Sequence, residues 1–288
     1  MLQQESHGRY PQPVDIGAIE KKASRSSFYT AMKLMAKAER EAMFAIYAFC
    51  RAVDDIADDG HGTRMERLAA LDHWRDSIEA IYRGKSPALT RFLEDSIGRY
   101  PLDKTDFLTV IDGMQMDVDN DIRGPDLNTL DLYCDRVASA VGRLSVKVFG
   151  MEHEPGVLLA HHLGRALQLT NIVRDLDEDA EIGRLYLPHE YLTQAGIVTR
   201  DPRDAIADSR IDAACRSMAA LAHEHYSAAG RVLAQNPQGH LRAPRLMHAV
   251  YSAILGKMEA QGWASPRRRA KLGKGELLLI LLRHGLSG

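Results

Sequence analysis

Apolar residues recur at α-helical spacing along almost the whole chain, and the alternation that a β-strand requires is scarce. Turn-forming segments such as 84–87 and 154–156 separate the periodic stretches. No linker or change of composition divides the 288 residues. The sequence predicts a partly ordered arm over residues 1–22, followed by one all-α domain over 23–288, a helical bundle around a central cavity. The predicted helices cover residues 28–36, 38–58, 64–83, 103–121, 127–150, 155–180, 203–234, 242–262 and 268–284.

The composition argues against several classes of protein. A net charge of −2 and a pI of about 6.6 give no basic surplus for binding nucleic acid. Cys50, Cys134 and Cys215 are odd in number and far apart, which fits neither a disulfide framework nor a zinc spacing. The N-terminal residues do not resemble a secretory signal. We therefore expect a cytoplasmic protein, and the oligomeric state stays open.

Two D-x-x-x-D steps on predicted helices are the strongest functional signal. The first joins Asp54 to Asp58, and the second joins Asp175 to Asp179. Residues four apart share a helix face, so each step sets two carboxylates one turn apart, where like charges repel. Two such faces turned toward each other form a cage of oxygen ligands that suits Mg²⁺, with phosphate oxygens completing its shell. The pattern predicts an enzyme that handles a diphosphate.

Polar side chains extend both acid pairs into stripes. Gln168 and Asn171 precede the second pair at helical spacing among apolar neighbours, and Arg174 is either a local ion-pair partner or a phosphate ligand. Tyr47 and Arg51 precede the first pair and offer a hydroxyl donor and a forked phosphate binder. Either stripe alone could be a solvated face. Both together favour a lined site.

Other motifs carry less. Residues 175–179 and 117–121 match the opening of a calcium loop, but neither has glycine at loop position six or glutamate at position twelve. Nucleotide-binding, zinc-protease and serine-hydrolase motifs are absent from the sequence. The neighbouring His161 and His162 lie among leucines, so the sequence favours helix packing over metal binding for them.

Three long segments resemble the squalene/phytoene synthase family, the head-to-head isoprenyl diphosphate synthases. They are A-I-Y-A-F-C-R-A-V-D-D-I-A-D-D at 45–59, Y-C-D-R-V-A-S-A-V-G at 133–142, and A-L-Q-L-T-N-I-V-R-D-L-D-E-D at 166–179, followed by G-R-L-Y-L-P at 183–188. They stand in the family's order, and the resemblance runs from about residue 25 to 272. It implies an isoprenoid-synthase fold with an apolar cavity, in which Mg²⁺, or Mn²⁺ in its place, bridges substrate diphosphates to both acid motifs.

The resemblance also implies roles for single residues. The implied metal ligands are Asp54, Asp58, Asn171, Asp175 and Asp179, the four aspartates counting as catalytic. The implied diphosphate contacts are Ser27, Tyr47, Arg51, Gln168, Asn171, Arg174, Tyr251 and Arg268. The implied cavity wall, with a kink in its helix, is formed by Val137, Val141 and Gly142. Tyr133 matches an active-site tyrosine that could stabilise positive charge or move a proton, with the departing pyrophosphate as an alternative base.

Two positions depart from the family pattern. Arg25 stands where a serine is frequent, and Ser139 replaces a glycine, which we expect to narrow or polarise the cavity. Segments 26–29, 39–59 and 133–150 are most similar to bacterial presqualene diphosphate synthases of hopanoid pathways. This implies condensation of two farnesyl diphosphates to presqualene diphosphate and pyrophosphate, without NADPH. The alternatives are a phytoene or dehydrosqualene synthase, and a catalytically silent family fold that serves in assembly or binding.

A basic segment near the C-terminus precedes a short apolar run. Residues 267–274 contain five arginines and lysines, and Leu277–Leu282 follow. Basic residues beside an apolar stretch can hold a protein to anionic lipid. The run is far shorter than the roughly 20 residues of a spanning helix. The hypothesis is a peripheral contact with the inner membrane, and the alternative is a core helix with solvated arginines.

Overall fold

The computed structural model describes residues 14, 17, 32, 35–58, 62–119 and 122–285. Within these residues the protein is all-α, and the one β-type pairing is an isolated bridge between Arg123 and Leu185. The arm predicted over 1–22 and the helix predicted over 28–36 lie almost entirely outside the described residues. The helices are α1 (Lys37–Asp58), α2 (Arg64–Tyr82), a 3₁₀ turn (Arg91–Leu93), α3 (Glu94–Arg99), α4 (Lys104–Asp119), α5 (Leu127–Cys134), a π-helical segment (Asp135–Ser139), α6 (Ala140–Val148), α7 (His153–Arg174), α8 (Leu176–Glu181), α9 (His189–Gln194), α10 (Pro202–Ala207), α11 (Ile211–Ala234), α12 (Arg242–Gln261) and α13 (Lys274–Gly285).

The predicted long helices within the described residues are confirmed, with two breaks, one π-helical interruption at Asp135–Ser139 and one shortening. The helix predicted over 155–180 breaks at Asp175, whose φ of −106° and ψ of 22° separate α7 from α8. The helix predicted over 203–234 breaks at Asp208, because its carboxylate accepts the Arg210 backbone N–H at 2.9 Å and forms a turn. The last helix begins at Lys274 rather than at 268.

Helix α1 is fixed to the core by its aromatic residue. Phe49 is fully buried and meets Trp74 of α2 and Phe107 of α4 edge to face, with ring centroids 5.6 and 5.1 Å apart. Such contacts combine large apolar burial with favourable ring geometry. Packing of this face holds the other stripe of α1 in a defined direction, and that stripe carries Tyr47, Arg51, Asp54 and Asp58.

A π-helical segment interrupts the long helix over 127–148, and two glycines allow this helix to approach α7 closely. A Cβ on Gly142 would lie 3.1 Å from Ala160 Cα, and a Cβ on Gly164 would lie 2.8 Å from the Ser139 backbone nitrogen. Such π-segments frequently mark functional sites. The wide turn and the close helix approach together set the position of the cavity wall.

Helix α7 lies at the centre and packs along α11. Ala219, Ala222 and Ala229 of α11 are fully buried, and Thr170 Oγ1 lies 2.9 Å from the hydroxyl of Tyr226. None of the described helices combines the length and apolar composition that a membrane span requires.

Candidate active site

A cavity of about 450 Å³ opens between α1, the π-segment, α6, α7 and α12. Most of its wall is apolar, and the predicted wall residues Val137, Val141 and Gly142 all line it. This size and lining are typical of a site for an apolar ligand. Met43, Ile46, Leu163, Leu167 and Met247 complete much of the wall.

One end of the cavity is polar. Residues predicted to contact diphosphate line it from three helices: Tyr47, Arg51, Gln168, Asn171, Arg174 and Tyr251. Two of their buried atoms, Asn171 Oδ1 and Arg51 Nε, have no hydrogen-bond partner among the described residues. Buried polar groups almost always have partners. The Arg51 N–H is therefore suited to a ligand oxygen, and the Asn171 oxygen is suited to a ligand or a metal ion.

Both acid motifs lie just beyond the polar end, because each helix runs on toward its aspartates. Arg51 Nη1 donates to Asp54 Oδ2 at 2.6 Å, and Arg51 also bonds to Asp55. Arg174 donates two hydrogen bonds to the Asp175 carboxylate, from Nε at 2.8 Å and from Nη2 at 2.6 Å. The two arginines therefore stand between the cavity and the acids.

Arg184 joins the two motifs. It follows the second motif in the chain and donates to the Asp58 carboxylate of the first and, at 2.9 Å, to the Ala57 carbonyl. Burial raises the pKa of Asp179 to about 8; the charges of Asp175 and Asp58 add to this rise, and Arg184 opposes it. The predicted meeting of the two acidic faces is thus present in the fold.

Two of the acids, Asp54 and Asp179, have raised pKa values and hold their protons more tightly than ordinary aspartates. Burial, and then the charge of Asp58, raise the pKa of Asp54 to about 7, although Arg51 opposes the rise. Carboxylates that hold protons at neutral pH exchange them for a cation when one binds. Four carboxylates and the Asn171 oxygen, which has no partner within the described part of the chain, make a candidate donor set that fits a hard divalent ion.

Tyr133 lies among the acids rather than on the cavity wall. Its hydroxyl donates to Asp117 Oδ2 at 3.0 Å, and the Tyr186 hydroxyl donates to Asp117 Oδ1 at 2.7 Å. The two rings stack with centroids 5.0 Å apart. Burial raises the pKa of Asp117 to about 6, against the opposing effects of Arg184 and the two hydroxyls.

Sequence reasoning missed Asp117, Arg184 and Tyr186 as site residues. Asp117 belongs to the segment 117–121, which fails as a calcium loop, and it follows Val110 and Met114 at helical spacing on the buried face of α4. An acid within an apolar stripe was the available signal. The segment 183–188 carries part of the family resemblance, but its local pattern indicates no role for its arginine or tyrosine.

Arg268 and Ser139 lie outside the cavity lining. Arg268 is exposed beside an outer groove, and its neighbour Arg269 makes the contact with Asp175, at 2.7 Å. Ser139 does not line the cavity: it is buried and bonds to Arg165, so the expected narrowing or polarising of the cavity was wrong. Ser27 lies outside the described residues.

Comparison with known proteins finds relatives over most of the chain. The model of the squalene/phytoene synthase family matches residues 21–276. Presqualene diphosphate synthase of Zymomonas mobilis is 57% identical over 261 residues, which is 91% of this chain and 89% of that protein. The enzyme of the same name from Rhodopseudomonas palustris is 52% identical over 91% of this chain and 93% of its own length. A ligand-bound dehydrosqualene synthase superposes with a TM-score of 0.80 at 26% identity, over 94% of this chain and 95% of its own. The chain belongs to the squalene/phytoene synthase family.

Proposed function

We propose that this chain is a prenyltransferase that condenses two farnesyl diphosphates to presqualene diphosphate and pyrophosphate in hopanoid or squalene biosynthesis. The observation that carries the proposal is one apolar cavity that ends in phosphate-binding side chains and then in two facing acid pairs. The choice of product rests on the two relatives, 57% and 52% identical, that bear this name.

The acid cage would hold a divalent cation, which we propose to be Mg²⁺, with Mn²⁺ as an alternative. Its ligands would be Asp54, Asp58, Asn171, Asp175 and Asp179. When bound, Mg²⁺ acts as a Lewis acid toward the charge that develops on the departing pyrophosphate.

The chain's own polar residues bind and orient the two diphosphates. Arg51 and Arg174 present forked donors that match phosphate oxygens in pairs. Tyr47 and Tyr251 add hydroxyl groups from α1 and α12, and Gln168 adds an amide from α7. Arg51 donates to Asp54 and Arg174 donates to Asp175, so these carboxylates hold the two guanidinium groups in place.

The apolar wall holds the farnesyl chains and keeps water away from the reacting carbons. The C1–oxygen bond of the first substrate breaks, and its electron pair leaves with pyrophosphate. The 2,3 double bond of the second substrate then attacks the C1 allylic cation. Loss of a proton from that C1 closes a cyclopropane, which gives presqualene diphosphate, pyrophosphate and one proton.

Tyr133 and Asp117 offer a route for this proton. The Tyr133 hydroxyl already donates to Asp117, so its oxygen can take a proton while its own passes to the carboxylate. The raised pKa of Asp117, about 6, makes it a better proton acceptor than an ordinary aspartate. Tyr186 holds the other carboxylate oxygen and fixes its direction. The alternative acceptor is the departing pyrophosphate.

Product analysis tests the proposal. The purified protein is incubated with farnesyl diphosphate and Mg²⁺, with and without NADPH, and the products are identified by mass. We expect presqualene diphosphate in both reactions. Squalene as the main product with NADPH, or dehydrosqualene as the main product in either reaction, would refute the choice of product while retaining the family.

We also propose that this cytoplasmic enzyme rests on the inner membrane through α13. Leu278, Leu279 and Leu282 are 57%, 69% and 55% exposed on one face of this helix. At 100° per residue, Lys274 and Arg283 fall on either side of this leucine face. Leucines between basic residues suit the interface of an anionic bilayer, from which the apolar substrate would arrive.

A further inference from the structure

Three histidines outside the acid cage come together between α7 and α11. One ring nitrogen from each of His161, His162 and His225 lies within 4.8 Å of the other two. Nδ1 of His162 and Nδ1 of His225 are only 3.0 Å apart. Bonds of about 2.0–2.1 Å to one zinc ion set two tetrahedral ligand nitrogens about 3.3 Å apart. The His162–His225 pair is therefore close to the spacing that a shared metal ion requires.

The environment keeps these rings in the neutral form that binds metals. Burial, and then the charge of His162, lower the pKa of His225 to about 4. Burial is also the main cause of the lowered pKa values of His161 and His162. All three side chains are partly exposed at the surface, so an ion can reach them. Neutral imidazole is the ligand form, and little proton competition remains at neutral pH.

The residues around the cluster hold it in place. Arg165 Nη1 donates to His161 Nδ1 and to Ser139 Oγ, both at 2.9 Å. Asp131 takes two further bonds from Arg165, at 2.6 and 3.0 Å, and Asp135 takes one at 3.1 Å, so the arginine charge is compensated. Ser139 also donates to the His161 carbonyl at 3.1 Å. The serine that replaces the family's glycine thus belongs to this cluster, not to the cavity.

We propose that His161, His162 and His225 form a binding site for a transition-metal ion of the zinc type. Three imidazoles select Zn²⁺ or its neighbours, whereas Mg²⁺ prefers the oxygen cage. A water molecule would take the fourth position. On metal binding, His161 would lose its hydrogen bond from Arg165 and bind the ion instead. Arg165 would retain its hydrogen bonds to Asp131, Asp135 and Ser139.

Such an ion would tie α7 to α11. Helix α7 also carries Gln168, Asn171 and Arg174 at the polar end of the cavity, so the ion would brace the helix that presents these groups. The sequence favours packing for His161 and His162 because they lie among leucines. Their third partner, His225, lies 63 residues from His162 on another helix, and no local pattern reveals it.

Metal titration tests the site. The untagged protein is kept in millimolar Mg²⁺ to occupy the acid cage, and Zn²⁺ binding is measured by competition with a chromophoric chelator. The variants are His162→Gln and His225→Gln. The matched control is His223→Gln, which removes an exposed histidine of the same helix that pairs with Glu259.

We expect one Zn²⁺ per wild-type chain and a rise in melting temperature on binding. Both site variants should bind Zn²⁺ more than about 100-fold more weakly, beyond the usual cost of losing an outer-shell partner. The control should bind as the wild type does. Absence of stoichiometric Zn²⁺ binding in the wild type, or unchanged binding in His225→Gln, would overturn the proposal.

A measurement on the wild type alone covers variants that fail to fold. The X-ray absorption spectrum of the Zn²⁺-loaded protein should show a shell of nitrogen ligands at about 2.0–2.1 Å with imidazole scattering. A shell of oxygen ligands without imidazole scattering would overturn the site.

Discussion

Replacing Asp179 with asparagine should change how the stability of the metal-free protein depends on pH. Asp179 has a pKa of about 8, raised first by burial and then by Asp175. An unfolded aspartate titrates near about 3.9. The folded state holds the Asp179 proton more tightly than the unfolded state does. The contribution of this proton to the stability of the fold is therefore complete below about pH 4 and is lost as pH rises through about 8. Metal-free wild-type protein should therefore become less stable across this window.

The size of the effect follows from the shift. A shift of about four units at about 1.4 kcal/mol per unit gives an upper limit of roughly 5–6 kcal/mol. The Asp179 side chain is partly exposed and shares its charge repulsion with Asp175, so we expect roughly 2–4 kcal/mol. The asparagine of Asp179→Asn cannot ionise. Between pH 5 and 8.5 its free energy of unfolding should therefore fall by roughly 2–4 kcal/mol less than that of the wild type.

Urea unfolding in EDTA, followed by circular dichroism, measures this difference. The matched control is Glu181→Gln, which removes the same charge from an exposed position of the same short helix. Added Mg²⁺ should stabilise the wild type and the control by about 2.7 kcal/mol at 100 times its dissociation constant. Asp179→Asn should gain much less. Equal pH slopes in Asp179→Asn and the wild type would refute the argument that crowded acids await a cation.

Three further changes test other parts of the site. Asp54→Asn should lower turnover at least about 100-fold with helicity and solubility intact, since a metal ligand is lost; activity within about threefold of the wild type would reject the ligand assignment. Tyr133→Phe should lower kcat by about 100-fold with little change in KM, as loss of a proton acceptor predicts; an unchanged kcat would assign the proton to pyrophosphate. The double variant Leu278→Ser/Leu282→Ser should no longer sediment with anionic vesicles at low salt, whereas Val198→Ser, at a position 93% exposed elsewhere, should still do so. A wild-type protein that stays in the supernatant at low salt would contradict the proposed membrane contact.

Local periodicity accounts for what the sequence predicted well. The acids and their polar stripes follow helical spacing, so their shared faces could be derived from position alone. The cavity residues Val137 and Val141 came from the family resemblance, and both line the wall. The break at Asp175 was not predicted, because an aspartate at the end of a periodic stretch gives no signal as strong as proline or glycine.

Contacts between distant segments account for what was missed. Asp117 meets Tyr133 and Tyr186 across 16 and 69 residues of chain, and no local pattern marks such a meeting. Arg184 reaches Asp58 across 126 residues. These partners become visible only when helix packing is known.

Labelled substrate tests the central claim most directly. Farnesyl diphosphate carrying two deuterium atoms at C1 is incubated with the enzyme and Mg²⁺, without NADPH, and the mass of the product is measured by mass spectrometry. Closing the cyclopropane removes one hydrogen from the C1 that was attacked. The account therefore predicts a product with the mass of presqualene diphosphate that keeps three of the four deuterium atoms. A product that keeps all four, or the absence of any thirty-carbon diphosphate, would contradict it.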